Sequence, residues 1–225
     1  MLEAGLTQSP ERVVALEKLC RRYWPPIYFF ARQKGYGDAD AKDFTQQFYQ
    51  RLIERNDFAG LDSRKGKFRT FLLAAFSNFL ANEHDRATAL KRGGGQATLP
   101  LDELTDEQMG RFEAASDIPP ATLFDKNWAS LVLAQALTRL KLEMQQAGKD
   151  RQYDLLKIFL TTDGQSGDYA NVSQKLGVAA ASVPVLVHRL RLRYRELARA
   201  ELAQTVSSPT DLEEEMRHLF AVLNQ

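Results

Sequence analysis

Apolar residues recur along most of this chain every three or four positions, which is the spacing of one buried face of an α-helix. The pattern is clearest in a helix predicted from Phe68 to about Lys91, whose core face comprises Phe71, Leu72, Ala75, Phe76, Phe79 and Leu80. Similar stripes predict a helix over 38–55 and several more after residue 123. No stretch has the strict alternation of a strand, so the pattern predicts an all-α protein.

A pair of prolines interrupts the first helical pattern. This pattern begins near Glu11 and meets Pro25 and Pro26, which lack the amide protons that a helix interior requires. The helix is therefore predicted to end or kink there, and a second apolar patch follows over 27–30.

The stretch from Asp168 to Arg199 predicts a helix-turn-helix. A short helix runs up to Leu176, Gly177 supplies a tight turn, and a longer helix follows. In the longer helix an apolar stripe is flanked by basic residues, namely His188, Arg189, Arg191, Arg193, Arg195 and Arg199. Guanidinium groups suit phosphate and guanine, so DNA binding is favoured over a plain solvated helix.

The C-terminal residues predict one further amphipathic helix. Thr210-Asp211-Leu212-Glu213 has the form of a capping box, just after Pro209. The apolar positions that follow share one face: Leu212, Met216, Leu219, Phe220 and Leu223. Two interpretations stay open, since this helix could fold back onto the second domain or bind a partner.

Breaks in the pattern divide the chain into two small helical domains joined by an acidic linker. Three glycines at 93–95 end the first domain, and the residues after them are rich in proline and acids. The predicted boundaries are a first domain over 11–95, the linker over 96–122, a second domain over 123–206 and a C-terminal helical extension over 207–225.

Composition is typical of a cytoplasmic, globular protein. Of the 225 residues, 44% are hydrophobic and 26% charged, no apolar run approaches the ~20 residues that span a bilayer, and the N-terminus lacks an export signal. The single cysteine, Cys20, fits a core thiol in a reducing compartment.

The net charge of +1 hides an uneven distribution of charged residues along the chain. Basic residues concentrate at 64–69, 86–92 and 188–199, and acidic ones at 102–125 and 211–215.

The sequence contains no recognisable catalytic or metal-binding motif. The glycines at 93–95 lack the ending of a phosphate-binding P-loop, and the three histidines lack the spacing of zinc ligands. Cys20 has no evident histidine partner for nucleophilic catalysis. We therefore expect no enzymatic activity, no metal and no organic cofactor.

Two polar helix faces in the first domain allow more than one interpretation from the residues alone. The outward side of the 38–55 helix carries Asp40, Asp43, Gln46, Gln47 and Gln50, a pattern that favours a solvated face. The outward side of the helix from Phe68 carries Asn78, Asn82, Asp85 and Arg86, beside a basic loop with Arg64, Lys65 and Lys67. Such residues suit contact with exposed bases as well as they suit solvent.

Three segments, in this order, resemble bacterial RNA polymerase sigma factors of the extracytoplasmic-function (ECF) type of the sigma-seventy family. Asp40-Ala-Lys-Asp-Phe-Thr-Gln-Gln-Phe-Tyr-Gln-Arg-Leu resembles the segment that docks on the clamp helices of the polymerase β′ subunit. Residues 66–86 resemble the segment that melts and reads the promoter near the start site. Residues 169–194 resemble the domain that reads the upstream element, and the whole resemblance covers about 19–199.

The resemblance implies a promoter-specificity subunit that binds core RNA polymerase and promoter DNA, with domains like sigma regions two and four. It implies polymerase binding by Asp40, Asp43, Gln46, Gln47 and Gln50. It implies promoter melting by Arg64, Lys65, Lys67, Phe68, Arg69, Asn78, Asn82 and Arg86. It implies binding of the upstream element by Ser182, His188, Arg189, Arg191 and Arg193. The linker would thread the polymerase cleft, no membrane is expected as a partner, and an anti-sigma protein or a Ser/Thr kinase is a candidate regulator.

The segment that resembles the polymerase-docking helix is less acidic than in many relatives, at Lys42 and Gln47. In some groups of the family such a deficit accompanies phosphorylation, and Thr45 lies in the same segment. Addition of about two negative charges at Thr45 is therefore hypothesised to strengthen polymerase docking.

Two further departures concern the helix-turn-helix. Ser173 stands where these domains usually have alanine, and Pro184 stands where relatives carry a polar residue that faces DNA. Because proline in a helix interior costs about 3 kcal/mol, the recognition helix is predicted to begin close to Ser182 as its cap. Pro184 would then lie in the first turn, where no amide hydrogen bond is lost.

Two other functions are compatible with parts of the pattern. One is a stand-alone helix-turn-helix regulator whose N-terminal domain binds a protein or an effector, and the other is a helical adaptor that binds no nucleic acid. Neither needs a polymerase-docking segment or a strand-opening segment, so the sigma-factor interpretation is preferred.

Overall fold

A computed structural model describes residues 10–54, 68–89, 118–206 and 208–224. These ranges form eight α-helices and one 3₁₀ segment and contain no strand, which confirms the predicted all-α fold. The helices are α1 (Pro10–Gln33), α2 (Asp38–Glu54), α3 (Phe68–Ala89), α4 (Pro120–Gln146), α5 (Asp150–Leu156), α6 (Ser166–Leu176), α7 (Ser182–Ala203) and α8 (Pro209–Leu223), and the 3₁₀ segment is Lys157–Leu160. Across the described ranges, no helix combines the length and the hydropathy needed to cross a lipid bilayer.

The chain divides into two compact units. The first unit comprises 1–131 and 203–225, and the second comprises Val132–Leu202. This division differs from the predicted boundaries, because it falls inside α4, between Leu131 and Val132, and at the last residue of α7, Ala203. Residues 120–122, predicted as linker, already belong to α4, and α8 belongs to the first unit instead of forming a separate extension.

The two prolines of α1 do not end the helix, so of the two predicted alternatives, an end or a kink, the end is wrong. Pro25 and Pro26 are buried, and α1 continues through them to Gln33. Packing on both sides offsets the two missing amide hydrogen bonds, because Tyr23 is only 1% exposed and Ile27 is fully buried.

Aromatic side chains from four helices build the core of the first unit. The ring of Phe76 on α3 lies 4.9 Å from that of Phe48 on α2 and 6.1 Å from that of Phe30 on α1, measured between centroids. Phe30 also packs edge-on against Phe124 of α4 at 6.3 Å. Such pairs contribute about 0.5–1.5 kcal/mol each beyond the burial of their surface, so these contacts fix the positions of α2 and α3.

A hydrogen bond joins α1 to the beginning of α2. The Tyr28 hydroxyl donates to Asp38 Oδ1 at 2.5 Å, and Lys42 forms an ion pair with Asp38 one turn along α2. The bond from Tyr28 lowers the pKa of the Asp38 carboxyl. Burial, with the neighbouring carboxylate, raises the pKa of Tyr28 to about 12. The first turn of α2 is therefore held in place across the neutral range.

The second unit contains the predicted helix-turn-helix. Gly177 ends α6 with a φ of 68°, a left-handed conformation that suits glycine, and the Val178 amide donates to Ser173 O at 3.1 Å. The Ser173 hydroxyl is accommodated by donating to Ala170 O at 2.9 Å. α7 begins at Ser182, so Pro184 lies in its first turn, as predicted.

The cap of α8 lies two residues before the predicted one. Ser208 is the N-cap, and its Oγ accepts a hydrogen bond from the Asp211 amide at 3.1 Å. The Ser208 hydroxyl also donates to the Asp211 carboxylate at 2.6 Å. The predicted cap at Thr210 is wrong because Pro209, whose missing amide suits a first helical position, already starts the helix.

Candidate protein- and nucleic-acid-binding surfaces

The outward side of α2 presents two carboxylates and an amide. Asp40, Asp43 and Gln47 are exposed and lie on one stripe of the helix, hereafter the α2 face. The opposite side is buried in the first unit and consists of Ala41, Thr45, Phe48, Tyr49 and Leu52. The α2 face is therefore placed to pair with cationic groups of another molecule.

The other two predicted polymerase-binding residues are less accessible. Gln46 and Gln50 are half-buried, and the Gln50 amide nitrogen donates to Glu54 Oε1 at 2.8 Å. They flank the α2 face without forming its most exposed part.

Thr45, predicted as a phosphorylation site, lies in the core. Its side chain is fully buried, and its hydroxyl donates to the Ala41 carbonyl at 2.7 Å. A kinase needs an accessible hydroxyl, and a phosphoryl group would place about two negative charges among apolar side chains. The folded first unit therefore argues against phosphorylation at this position.

Replacing Thr45 by glutamate is expected to unfold the first unit instead of strengthening polymerase docking. An unpaired buried carboxylate costs at least about 3 kcal/mol. Gln47→Glu, which adds the same charge on the exposed side of the same helix, should leave the thermal unfolding midpoint unchanged within a few degrees. Circular dichroism melting of both variants measures the difference. Equal midpoints for the two variants would contradict the buried position of Thr45.

The residues predicted to melt the promoter separate into two groups on α3. Asn78 and Asn82 are exposed one helical turn apart, so they share an accessible face. Phe68 is 2% exposed and packs edge-on against Tyr23 at 5.0 Å, so it belongs to the core. The basic loop residues Arg64, Lys65 and Lys67 and the side chain of Arg86 lie outside the described residues.

Arg69 is buried within a cluster of charged side chains and is not accessible to a DNA strand. Only 8% exposed, it forms ion pairs with Asp125 of α4 and, at 3.4 Å, with Glu215 of α8. Its guanidinium lies 4.8 Å from the ring centroid of Trp128, and His218 Nε2 lies 3.1 Å from the Asp125 carboxylate. The predicted role in promoter melting is incompatible with this burial, and Arg69 instead joins α3 to α4 and α8.

Sequence reasoning missed the acidic partners of Arg69. One signal was available for Glu215, which lies one helical turn before Leu219 and two turns before Val222, on the buried stripe of α8. A single carboxylate within an apolar stripe predicts a buried cation elsewhere in the chain.

Three of the five residues predicted to bind the upstream element are accessible on α7. Ser182, His188 and Arg189 are exposed on the side opposite the buried stripe of Val183, Val187 and Leu190. Neither His188 nor Arg189 forms an ion pair with any residue in the described ranges. Their donors are therefore available to a ligand that approaches the outer face of α7.

The other two, Arg191 and Arg193, are held within the second unit. Arg191 Nε donates to the Phe159 carbonyl at 2.6 Å, and its Nη2 donates to the Thr162 carbonyl at 2.8 Å. Two nitrogens of Arg193 donate to the Glu143 carboxylate, each at 2.8 Å, and a third donates to Glu196 at 2.7 Å. These bonds lower the pKa of Glu143 and raise that of Arg193. Both arginines are therefore engaged by groups of the second unit, although Arg193 stays about half exposed and lies one helical turn after Arg189.

The described ranges contain no group of three or more histidine, cysteine, aspartate or glutamate side chains placed to hold a metal ion.

Comparison with protein families gave one match, to a model described as ECF sigma factor, over residues 29–183. That range covers more than half of the chain, includes α2 and α3, and ends at the second residue of α7. Comparisons with curated proteins and with solved structures gave no match.

Proposed function

The chain belongs to the ECF sigma factor family, whose members direct RNA polymerase to specific promoters, and we propose that it does so through three surfaces. The family acts in transcription initiation and is regulatory, not enzymatic. The observation that best supports the proposal is the helix-turn-helix, whose second helix exposes Ser182, His188 and Arg189. This face binds the upstream promoter element, with base edges and phosphates contacted together.

The α2 face binds core RNA polymerase. Two exposed carboxylates on one helical stripe, with the helix fixed by its aromatic core, offer a rigid acidic surface to a basic partner. Because core polymerase works in the cytoplasm, the chain acts there too.

The exposed side of α3 contacts the unwound strand near the start site. Asn78 and Asn82 are spaced to hydrogen-bond a base that has left the stack. Flipping a base costs a few kcal/mol, which stacking and phosphate contacts must offset. The basic residues at 64–67 supply the charge for those phosphate contacts.

The direct test is transcription by purified bacterial core polymerase with and without this chain. The template pool contains randomised promoter sequences, and the run-off products are sequenced. The proposal expects products only when the chain is present, enriched for a common pair of elements. DNA binding that neither needs polymerase nor yields a transcript would instead support the stand-alone regulator. If the chain neither binds DNA nor changes transcription, both functions are refuted.

Reversing the charges of the α2 face is expected to weaken binding to core polymerase. Asp40→Lys with Asp43→Lys should lower the affinity about tenfold or more at low salt, and less at high salt, because the contact is electrostatic. The matched control is Asp150→Lys with Asp154→Lys, which reverses two exposed carboxylates on α5. Fluorescence anisotropy with labelled chain measures both. If the control weakens binding as much as the α2 variant, the proposed surface is wrong.

Two arginines four residues apart on α7 are expected to behave differently. Arg189→Gln should reduce affinity for the selected upstream duplex about tenfold, the scale of one good bidentate base contact. Arg193→Gln should change it by less than about twofold, because Arg193 is occupied by Glu143 and Glu196. Electrophoretic mobility shift with the polymerase holoenzyme is a suitable measurement. A larger loss for Arg193→Gln would show that Arg193 exchanges its carboxylate partners for DNA, and would contradict its structural role within the second unit.

A further inference from the structure

Val185 is an apolar residue on the outer face of α7, among the residues proposed to bind DNA. Its side chain is 49% exposed, whereas Val183 and Val187 on either side of it are 0% and 4% exposed. It lies one helical turn before Arg189 and on the same stripe. The outer face therefore presents an apolar group one helical turn before the cationic Arg189.

The first turn of α7 offers few polar groups for reading DNA. Pro184 is exposed but has no amide proton, and Val185 has no polar side-chain atom. In the major groove the C5 methyl of thymine is the apolar feature of the base edges, and apolar side chains discriminate thymine by contact with it. Because the N-terminal residues of a recognition helix reach the base edges, position 185 is suited to that contact.

The other large hydrophobic residue exposed on α7 is too far along the helix for the same role. Leu192 is 48% exposed and lies seven residues after Val185. At the rise of an α-helix this is about 10 Å further along the axis, close to the width of the major groove, which is about 12 Å. Of the two large hydrophobic residues exposed on α7, Val185 is thus the one near the N-terminal end that reaches the base edges.

We propose that Val185 reads the methyl group of a thymine in the upstream promoter element and so helps to determine which promoters the chain selects. This inference rests on the proposed function as a sigma factor. It concerns a residue beyond the family match, which ends at Val183.

Replacement of thymine by deoxyuridine tests the contact, because it removes only the methyl group. The upstream duplex selected with full-length chain and core polymerase is prepared with each thymine replaced in turn. One replacement is expected to lower the affinity of the wild-type holoenzyme about fourfold, the scale of one buried methyl group. With Val185→Ala that replacement should change the affinity less than about 1.5-fold, since the two Cγ methyl groups that would make the contact are removed. The control Leu142→Ala, at a residue 50% exposed on α4, should keep the full effect.

The outcomes distinguish a failure of the thymine contact from a failure of the proposed sigma-factor function. If a duplex is selected but deoxyuridine weakens wild type and Val185→Ala equally, or weakens neither, the thymine contact is refuted and the sigma-factor function stands. If core polymerase with this chain selects no duplex, the proposed function fails and the inference fails with it. Circular dichroism melting of Val185→Ala shows that its fold is intact, as expected for an exposed position.

Discussion

Replacing Arg69 by methionine is expected to destabilise the first unit by about 3–5 kcal/mol, the cost of leaving a buried carboxylate without its cation. Glu215 has a side chain only 2% exposed and is paired with Arg69, so it would keep its charge in the core without this cation. Asp125 would lose the same partner and keep His218. Urea denaturation followed by circular dichroism measures the loss.

A double variant separates the contribution of charge to this destabilisation from the contribution of lost packing. Glu215→Gln combined with Arg69→Met should recover a large part of the stability, because the unpaired charge is removed together with its partner. Arg193→Met is a suitable control: its ion pair is about half exposed, and such pairs contribute within about 1 kcal/mol. If Arg69→Met keeps wild-type stability but abolishes transcription, Arg69 contacts DNA as the sequence suggested and the buried cluster is not its role.

The contrast between Arg69 and Asn78 shows what the sequence could predict about α3. Its helical spacing predicted both the helix and its core face, because a buried stripe is a local property of the chain. Whether a polar residue on the border of that stripe is exposed depends on what packs against it. For Arg69 this is decided by Asp125 and Glu215, which are 56 and 146 residues further along the chain.

The arginines of α7 make the same point within a single helix. Their composition predicted a DNA-binding face, and Arg189 lies on it. Arg191 and Arg193 are instead occupied within the second unit, by the carbonyls of Phe159 and Thr162 and by the carboxylate of Glu143. An arginine-rich helix contains both kinds of residue, and composition alone does not separate them. The prolines of α1 are a related case, since burial on both sides overrides a strong local breaker.

Removing α8 is expected to unfold the first unit. α8 buries Met216, Leu219 and Val222, which are 6%, 1% and 6% exposed. Burial of three such side chains contributes about 5 kcal/mol, comparable to the whole net stability of many domains. A chain that ends at Val206 also lacks the partners that Glu215 and His218 provide for Arg69 and Asp125.

Circular dichroism melting of this truncated chain, together with the transcription assay, distinguishes a structural helix from a regulatory one. A structural role gives a loss of cooperative unfolding and a loss of transcription together. The matched control is Phe220→Ala with Leu223→Ala, which changes two exposed apolar residues of α8 and should alter stability by about 1 kcal/mol at most. Self-restraint by α8 would instead leave the truncated chain folded and make it more active. Because Glu215 and His218 of α8 pair with Arg69 of α3 and Asp125 of α4, we expect the truncated chain to unfold. A stable truncated chain would show that these contacts contribute little.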